Sequence, residues 1–126
     1  MQTLTVLIVV GALLSACAQG ERKAASREPP QEYQNVFLAY RDCVAEGTGQ
    51  LVESKATPYQ IADAALAGCG RQAVVYKKVV RDYYISLVSR GSLSMALERA
   101  DTKVAETREM LRGMAIRRVV ESRISK

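Results

Sequence analysis

The chain has 126 residues and a formal net charge of +5, lacks histidine and tryptophan, and is 48% hydrophobic. This length predicts one domain with a modest core. Without histidine there is no usual general base at neutral pH and no imidazole ligand for zinc or haem. No nucleophile elbow, catalytic serine-lysine motif or glycine-rich phosphate loop occurs either. We therefore expect a protein that is not an enzyme and that binds no cofactor.

The N-terminal segment carries the most specific motif of the chain. A mostly apolar run over residues 4–14 ends in Leu14-Ser15-Ala16-Cys17. Such a run is too short to span about 30 Å of hydrocarbon as a stable helix, and the small residues after it suit a peptidase pocket. The motif resembles the lipobox of bacterial lipoprotein signal peptides at all four positions. The resemblance implies a signal peptide over residues 1–16.

The same resemblance implies how the mature chain is held. Cys17 becomes the N-terminus, carrying a diacylglyceryl group and an N-acyl chain, and several acyl chains anchor a protein effectively irreversibly. Ala18 stands where Asp typifies inner-membrane retention, which favours the outer membrane. We expect an envelope protein that faces the periplasm. Residues 17–30 form its lipidated N-terminus and a polar, flexible tether that ends in Pro29-Pro30.

Residues 31–126 are predicted to form an all-α domain, an uneven three-helix antiparallel bundle made of two helical hairpins. Apolar residues recur every three or four positions over residues 31–54, which indicates the first helix. Glycines in a helix interior cost about 1 kcal/mol each relative to alanine. We therefore expect this helix to break or fray at Gly47-Thr48-Gly49.

The start of the second helix is marked by a capping box at residues 57–60, with proline at the first helical position. The apolar pattern predicts that this helix continues without a break up to Gly91. Ser92 or Ser94 then caps a third helix, which runs to about residue 124. Folding about Gly91 returns the end of the third helix to the turn near residue 56.

Two cysteines are placed to join the first two helices. Cys43 and Cys69 lie thirteen residues on either side of residue 56, so they meet in an antiparallel hairpin that turns there. The same register sets Gly47 opposite Ala65, and small residues allow the close approach that a bridge requires. With Cys17 consumed by lipid, an even pair in an exported chain predicts a disulfide. The alternative is a pair of inert buried thiols.

The first candidate interaction surface follows from the unequal helix lengths. The first helix is expected to lie beside residues 58–79 and to leave residues 80–104 as a two-helix overhang. Such a hairpin cannot bury apolar residues on both sides. We predict an interface for a second copy or an envelope protein partner; the alternative is that these residues face the opposing helix or lie under the tether. The predicted interface residues are Val80, Tyr84, Ile85, Val88, Leu93 and Leu97.

The second candidate surface is the basic C-terminal segment. Residues 71–126 hold thirteen basic and six acidic side chains, for +7, whereas residues 1–70 hold five and seven, for −2. Nucleic acid is not an expected partner in a cell envelope; lipid phosphates and peptidoglycan carboxylates are. The alternative is a solvated helix end whose cations complement the helix dipole. The predicted anion-binding residues are Arg112, Arg117, Arg118, Arg123 and Lys126.

These features predict a structural or protein-interaction module of the bacterial cell envelope, anchored to the membrane through its N-terminal lipid. The alternative is a periplasmic binding module that holds a lipid or another apolar ligand inside the bundle or at the overhang.

Overall fold

The computed structural model describes residues 28–126, so the predicted signal peptide, Cys17 and most of the tether lie outside the described residues. The described part is all-helical, and its four α-helices and one 3₁₀ turn form two antiparallel hairpins. The elements are α1, Gln31–Leu51; α2, Pro58–Gly68; α3, Gly70–Ser86; the 3₁₀ turn, Arg90–Ser92; and α4, Leu93–Ile124. The all-α class is confirmed. The predicted count of three helices is wrong, because the second predicted helix is divided into two helices, α2 and α3.

Helix α1 runs without interruption to Leu51, so the predicted break at its glycines is wrong. A Cβ built on Gly47 would lie 3.4 Å from the Cβ of Ala65, so this glycine allows α2 to pack closely against α1. The buried Thr48 donates its hydroxyl hydrogen to the Val44 carbonyl at 2.7 Å. Tertiary packing therefore overrides the low helix propensity of this segment.

The capping box that begins α2 is confirmed. Thr57 Oγ1 accepts from the Gln60 amide at 3.2 Å, and Gln60 Oε1 accepts from the Thr57 amide at 2.9 Å. Pro58 occupies the first helical position, where its missing amide hydrogen costs nothing. The cap fixes the end of the loop of residues 52–57, which we call the tip loop.

The predicted continuity of the second helix fails at Cys69. This residue has φ −98° and ψ 23°, and its amide donates to the Leu66 carbonyl at 3.2 Å, one residue short of α-helical spacing. Gly68 and Gly70 flank it, and two residues of low helix propensity weaken the helix on both sides. The disulfide at Cys69 ties this break to α1.

The second hairpin turns where Gly91 predicted, but its helix ends differ in detail. Helix α3 ends at Ser86, a few residues earlier than expected, and Gly91 lies within the 3₁₀ turn. Ser92 occupies the N-cap position of α4, as predicted, but its side chain makes no capping hydrogen bond. The chain reversal is therefore made by the short turn as a whole.

The residue pairs between α3 and α4 agree with a chain reversal at Gly91. Across α3 and α4, the Tyr76 hydroxyl lies 2.8 Å from Thr107 Oγ1, and Arg81 pairs with Asp101 at 2.9 Å. At the other end of α4, Arg123 donates to the Ala56 carbonyl at 2.8 Å, so the helix returns to the tip loop as expected. Since α1 and α4 are each antiparallel to α2 and α3, they run side by side in the same direction.

Candidate functional site

The predicted disulfide is confirmed. Cys43 of α1 and Cys69 at the α2–α3 junction are bonded, with their Cα atoms 6.0 Å apart. Cys69 is buried, whereas Cys43 is partly exposed beside a groove between α1 and α2. The bridge thus fixes the register of α1 against the helix pair that follows it.

Four of the five predicted anion-binding residues, all except Arg117, form hydrogen bonds or ion pairs within the described domain. Arg112 binds the Asp63 carboxylate through two nitrogens, at 2.7 and 3.1 Å, and its guanidinium carbon lies 5.6 Å from the centroid of the Tyr59 ring. This pairing lowers the pKa of Asp63, chiefly through the hydrogen bond from Arg112. Arg112 is therefore a link between α2 and α4.

The last two cations of the chain hold the tip loop. Arg123 donates to the carbonyl oxygens of Val52, Ser54 and Ala56, at 3.5, 2.8 and 2.8 Å. Lys126 forms an ion pair with Glu53. Together with Arg112, these cations therefore have partners within the described domain, and their predicted role in anion binding stays a prediction. The count of charged residues in the sequence did not predict these contacts, because a count does not show which cations have partners in the fold.

The two remaining predicted residues, Arg117 and Arg118, border a cleft between α1 and α4. Arg118 reaches across to α1 and donates to the Ala45 carbonyl at 3.2 Å. Arg41 of α1 completes the rim, and its guanidinium pairs with the neighbouring Asp42 at 2.7 Å. Sequence reasoning missed Arg41, since nothing in the periodicity of α1 shows that it faces two arginines of α4.

We call this feature the arginine-rimmed cleft. Its volume is about 210 Å³, and its charged lining consists of the three arginines and Glu121, a net charge of +2. Val44, Leu111 and Ala115 also line it, but each is at most 3% exposed and offers almost no surface to a ligand. The accessible feature of the cleft is therefore its positive rim, which suits an anionic group.

The predicted overhang is shorter than expected. The rings of Tyr33 and Tyr83 lie 5.4 Å apart, so α1 reaches beyond the predicted limit at residue 79. Val80 is completely buried, and its prediction as an exposed interface residue is wrong. Tyr84, Val88 and Leu97 are half-buried. Among the six predicted interface residues, the exposed ones are Ile85 and Leu93, at 39% and 45%.

A more exposed apolar residue lies on the same side of α3. Val74 is 71% exposed and lines an open groove with Ile85 and Leu97, whose remaining lining is charged: Lys77, Lys78, Arg81 and Asp82. Sequence reasoning missed Val74, because the apolar pattern of α3 is broad enough to fit more than one orientation of the helix. We call Val74, Ile85, Leu93 and Leu97 the apolar α3–α4 surface.

An aromatic cluster fills the end of the bundle where α1 begins. Tyr76 is central to it: its ring packs against those of Tyr33, Phe37 and Tyr40, and its hydroxyl lies 3.4 Å from the Tyr33 hydroxyl. Burial is the main reason that the pKa of Tyr33 is raised. A cleft of about 370 Å³ opens beside Tyr33, Phe37, Tyr76 and Met110.

Over residues 28–126, no three His, Cys, Asp or Glu side chains are grouped so that they could hold a metal ion. Within the same range, no helix is both long and apolar enough to cross a membrane. No family model, curated protein or solved structure matches the chain. The candidate sites therefore stand on their geometry.

Proposed function

We propose that the chain is an exported, lipid-anchored interaction module of the bacterial cell envelope. The observation that carries this proposal is the disulfide between Cys43 and Cys69, because such bonds persist in oxidising compartments and are rare in the cytosol. The lipobox-like sequence at Cys17 supports it independently. The module faces the periplasm, and Ala18 favours the outer membrane.

Two surfaces of the described domain support an interaction role. The apolar α3–α4 surface suits a protein partner or a second copy, because exposed aliphatic residues gain free energy when a partner covers them. The arginine-rimmed cleft suits an anionic group of an envelope component. Neither surface contains an arrangement of nucleophile and base.

Metabolic labelling with an alkyne fatty acid tests the anchor. We expect the wild-type protein to incorporate the label and Cys17→Ser to incorporate none. The matched control is the double variant Cys43→Ser/Cys69→Ser, which keeps the lipobox and should label as the wild type does. A wild-type chain without label, or equal labelling of Cys17→Ser, would contradict the proposal.

Sedimentation of the purified protein, combined with crosslinking in cells, tests the apolar α3–α4 surface. We expect either a concentration-dependent dimer or a crosslinked envelope protein, lost in Ile85→Asp/Leu93→Asp. Leu38→Asp is the matched control, since Leu38 is an equally exposed aliphatic residue on α1, at 39%. Loss of the complex in the control alone, or in neither variant, would exclude this surface.

A second candidate function is a binding module for an apolar ligand. The observation in its favour is the cleft beside Tyr33, Phe37, Tyr76 and Met110, whose lining also includes Lys103, Glu106 and Thr107. Mass spectrometry of the natively purified protein distinguishes the two functions. Stoichiometric co-purifying lipid, beyond that attached to Cys17, would favour the binding module; its absence would favour the interaction module.

A further inference from the structure

The outward side of α4 leaves apolar residues uncovered. Met110, Val120 and Ile124 are exposed. In a helix of 3.6 residues per turn they lie within about 80° of one another, whereas the buried residues of α4, such as Leu111 and Ala115, lie on the other side. We call the exposed side of residues 102–124 the outer α4 face. Apolar surface of this kind gains free energy when a partner covers it.

Two charges flank the middle of this face at equal distances. Glu109 lies four residues before Gly113, and Arg117 lies four residues after it. Both side chains are exposed, and neither forms a hydrogen bond or an ion pair within residues 28–126. Arg112, one turn from Glu109, is bound to Asp63. Two opposite charges, equally spaced about one residue, are therefore left for a partner.

A second copy that packs antiparallel against this face brings the two charges together. With the two-fold axis at Gly113, residues at equal distances before and after it lie opposite one another. Glu109 of each copy then lies opposite Arg117 of the other, which gives two ion pairs. Met110 lies opposite the half-buried Ile116, so an apolar contact accompanies each pair. A parallel pairing would instead set each charge against its own copy, and like charges repel.

The residue spacing along α4 fits such a pairing. Residues 106, 110, 113, 117, 120 and 124 follow alternating steps of four and three, which is the spacing of a seam between two helices. Glu106, one turn before Glu109, adds a second carboxylate near Arg117 of the other copy. A Cβ built on Gly113 meets nothing within 4 Å, so the described domain does not require a glycine there. Two helices that meet at this glycine can approach closely.

We propose that the outer α4 face binds a second copy of this chain, antiparallel, about a two-fold axis at Gly113. This face is separate from the apolar α3–α4 surface, which stays available to another partner. The proposal goes beyond the lipid-anchored interaction module, because it does not depend on the anchor. Since the contact is one side of one helix, we expect a weak dimer, with a Kd above about 10 µM.

Sedimentation of the purified full chain tests the dimer. We expect a concentration-dependent dimer that weakens with added salt, because two exposed ion pairs contribute to it. Arg117→Glu and Glu109→Arg should each weaken dimerisation at least about tenfold, because each replaces both ion pairs by like charges. Arg71→Glu is the matched control, at an exposed arginine of α3, and should stay within about twofold of the wild type.

Mixing the two charge variants tests the pairing itself. In a heterodimer of Arg117→Glu and Glu109→Arg, opposite charges again face each other at both positions. We expect the equimolar mixture to dimerise at least about tenfold more tightly than either variant alone. A mixture of Arg71→Glu and Glu109→Arg has the same net charges and should show no such recovery.

Three results of these experiments would overturn the proposal. The first is a wild-type chain that stays monomeric, and the second is a mixture of the charge variants that does not recover. The third is a dimer lost in Ile85→Asp/Leu93→Asp but kept in Arg117→Glu, which would assign the dimer to the apolar α3–α4 surface.

Single cysteines test the antiparallel arrangement. In the Cys17→Ser chain, whose other two cysteines are bonded to each other, Gly113→Cys places one thiol of each copy at the axis. We expect oxidation with copper phenanthroline to link these copies through a disulfide. In Val120→Cys, the matched control on the same face, the two thiols lie about 21 Å apart along the helices, too far for a bond. No linkage at Gly113→Cys, or equal linkage of both variants, would contradict the proposed axis.

Fatty-acid labelling of the same chain keeps this inference separate from the anchor. A monomeric chain that incorporates the label refutes the dimer and leaves the anchor standing. A dimer that depends on Glu109 and Arg117, in a chain without label, refutes the anchor and leaves the dimer standing.

Discussion

Arg123 is a single residue that closes the tip loop, because its guanidinium donates to three backbone carbonyls between Val52 and Ala56. Without these donors, the carbonyl groups at the end of α1 and in the tip loop have only water as a hydrogen-bond partner. We expect Arg123→Ala to lower the free energy of unfolding by about 1 to 2 kcal/mol, measured by urea denaturation.

Arg117→Ala is the matched control for that variant. Both arginines lie near the end of α4, but Arg117 makes no bond within the described domain. We expect its unfolding free energy to stay within about 0.5 kcal/mol of the wild type. A similar loss in both variants would mean that net charge, and not the carbonyl bonds, explains the effect.

The buried hydroxyls of Tyr76 and Thr107 form a second residue-scale contact, at 2.8 Å. Thr107→Val leaves the Tyr76 hydroxyl with only its longer contact to Tyr33, and an unsatisfied buried hydroxyl costs about 1 to 3 kcal/mol. We expect Thr107→Val/Tyr76→Phe to be less destabilised than the sum of the single variants, with a coupling of about 1 kcal/mol by urea denaturation. Strict additivity would contradict this reading of the pair.

At the scale of elements, Gly47 sets the distance between α1 and α2. A Cβ there already reaches 3.4 Å from the Ala65 Cβ, whereas a Cβ on Gly49 meets only the flexible end of Arg118, at 3.6 Å. We expect Gly47→Leu to destabilise the protein by about 1 to 3 kcal/mol through overpacking, measured by thermal or urea unfolding.

Gly49→Leu is the control, since it places the same side chain two residues away on an exposed position of α1. We expect it to be neutral or stabilising, because leucine is a better helix former than glycine. Equal losses at the two positions would show that the α1–α2 approach is not limited by Gly47.

Asp63 and Asp101 form ion pairs that join α4 to the preceding helices, and both carboxylates make stability depend on pH. Hydrogen bonds from Arg112 and Arg81 are the main reason that the pKa values of Asp63 and Asp101 are lowered in the folded state. A lowered folded pKa gives stability that is fully present above the unfolded value of about 3.9 and is lost as the pH falls through the folded value.

We therefore expect the Tm, followed by circular dichroism, to fall as the pH decreases below about 4. In Asp63→Asn/Asp101→Asn the Tm should be lower near neutral pH and should fall less steeply in acid. Added salt should shrink the difference between the two proteins, because both pairs are exposed. An equally steep acid decrease in the double variant would contradict this assignment.

The sequence predicted the elements whose signals are local. The capping box at Thr57 needs only two side chains three residues apart, and the Cys43–Cys69 pairing follows from symmetry about the tip loop. The break at Cys69 and the unbroken α1 at Gly47 depend on contacts between helices, which periodicity does not contain. Helix propensity alone therefore predicted a break at Gly47 and Gly49, whereas the helix breaks between Gly68 and Gly70.

At the scale of the whole molecule, the sites were harder to predict than the fold. Arg41 and Arg117 line the same cleft only because the two hairpins fold with α1 beside α4, and a helical pattern does not specify that arrangement. The same packing buries Val80 and leaves Val74 exposed. The basic C-terminal segment was interpreted as a surface for external anions, but several of its cations bind the tip loop and Asp63 of the same chain.

The disulfide contributes to the stability of the whole domain. It closes a loop between residues 26 positions apart, for which the chain-entropy model gives about 3 kcal/mol of stabilisation. For a domain of this size that is a large share of a typical stability. Reduction of the disulfide is therefore expected to remove a large share of the stability of the described helices.

The intact mass of the chain purified from membranes, with and without reductant and alkylation, tests the central claim most directly. We predict a chain that begins at Cys17, carries the mass of its lipid, and has two cysteines that are alkylated only after reduction. An uncleaved chain with all three cysteines free would contradict export, anchoring and the disulfide together.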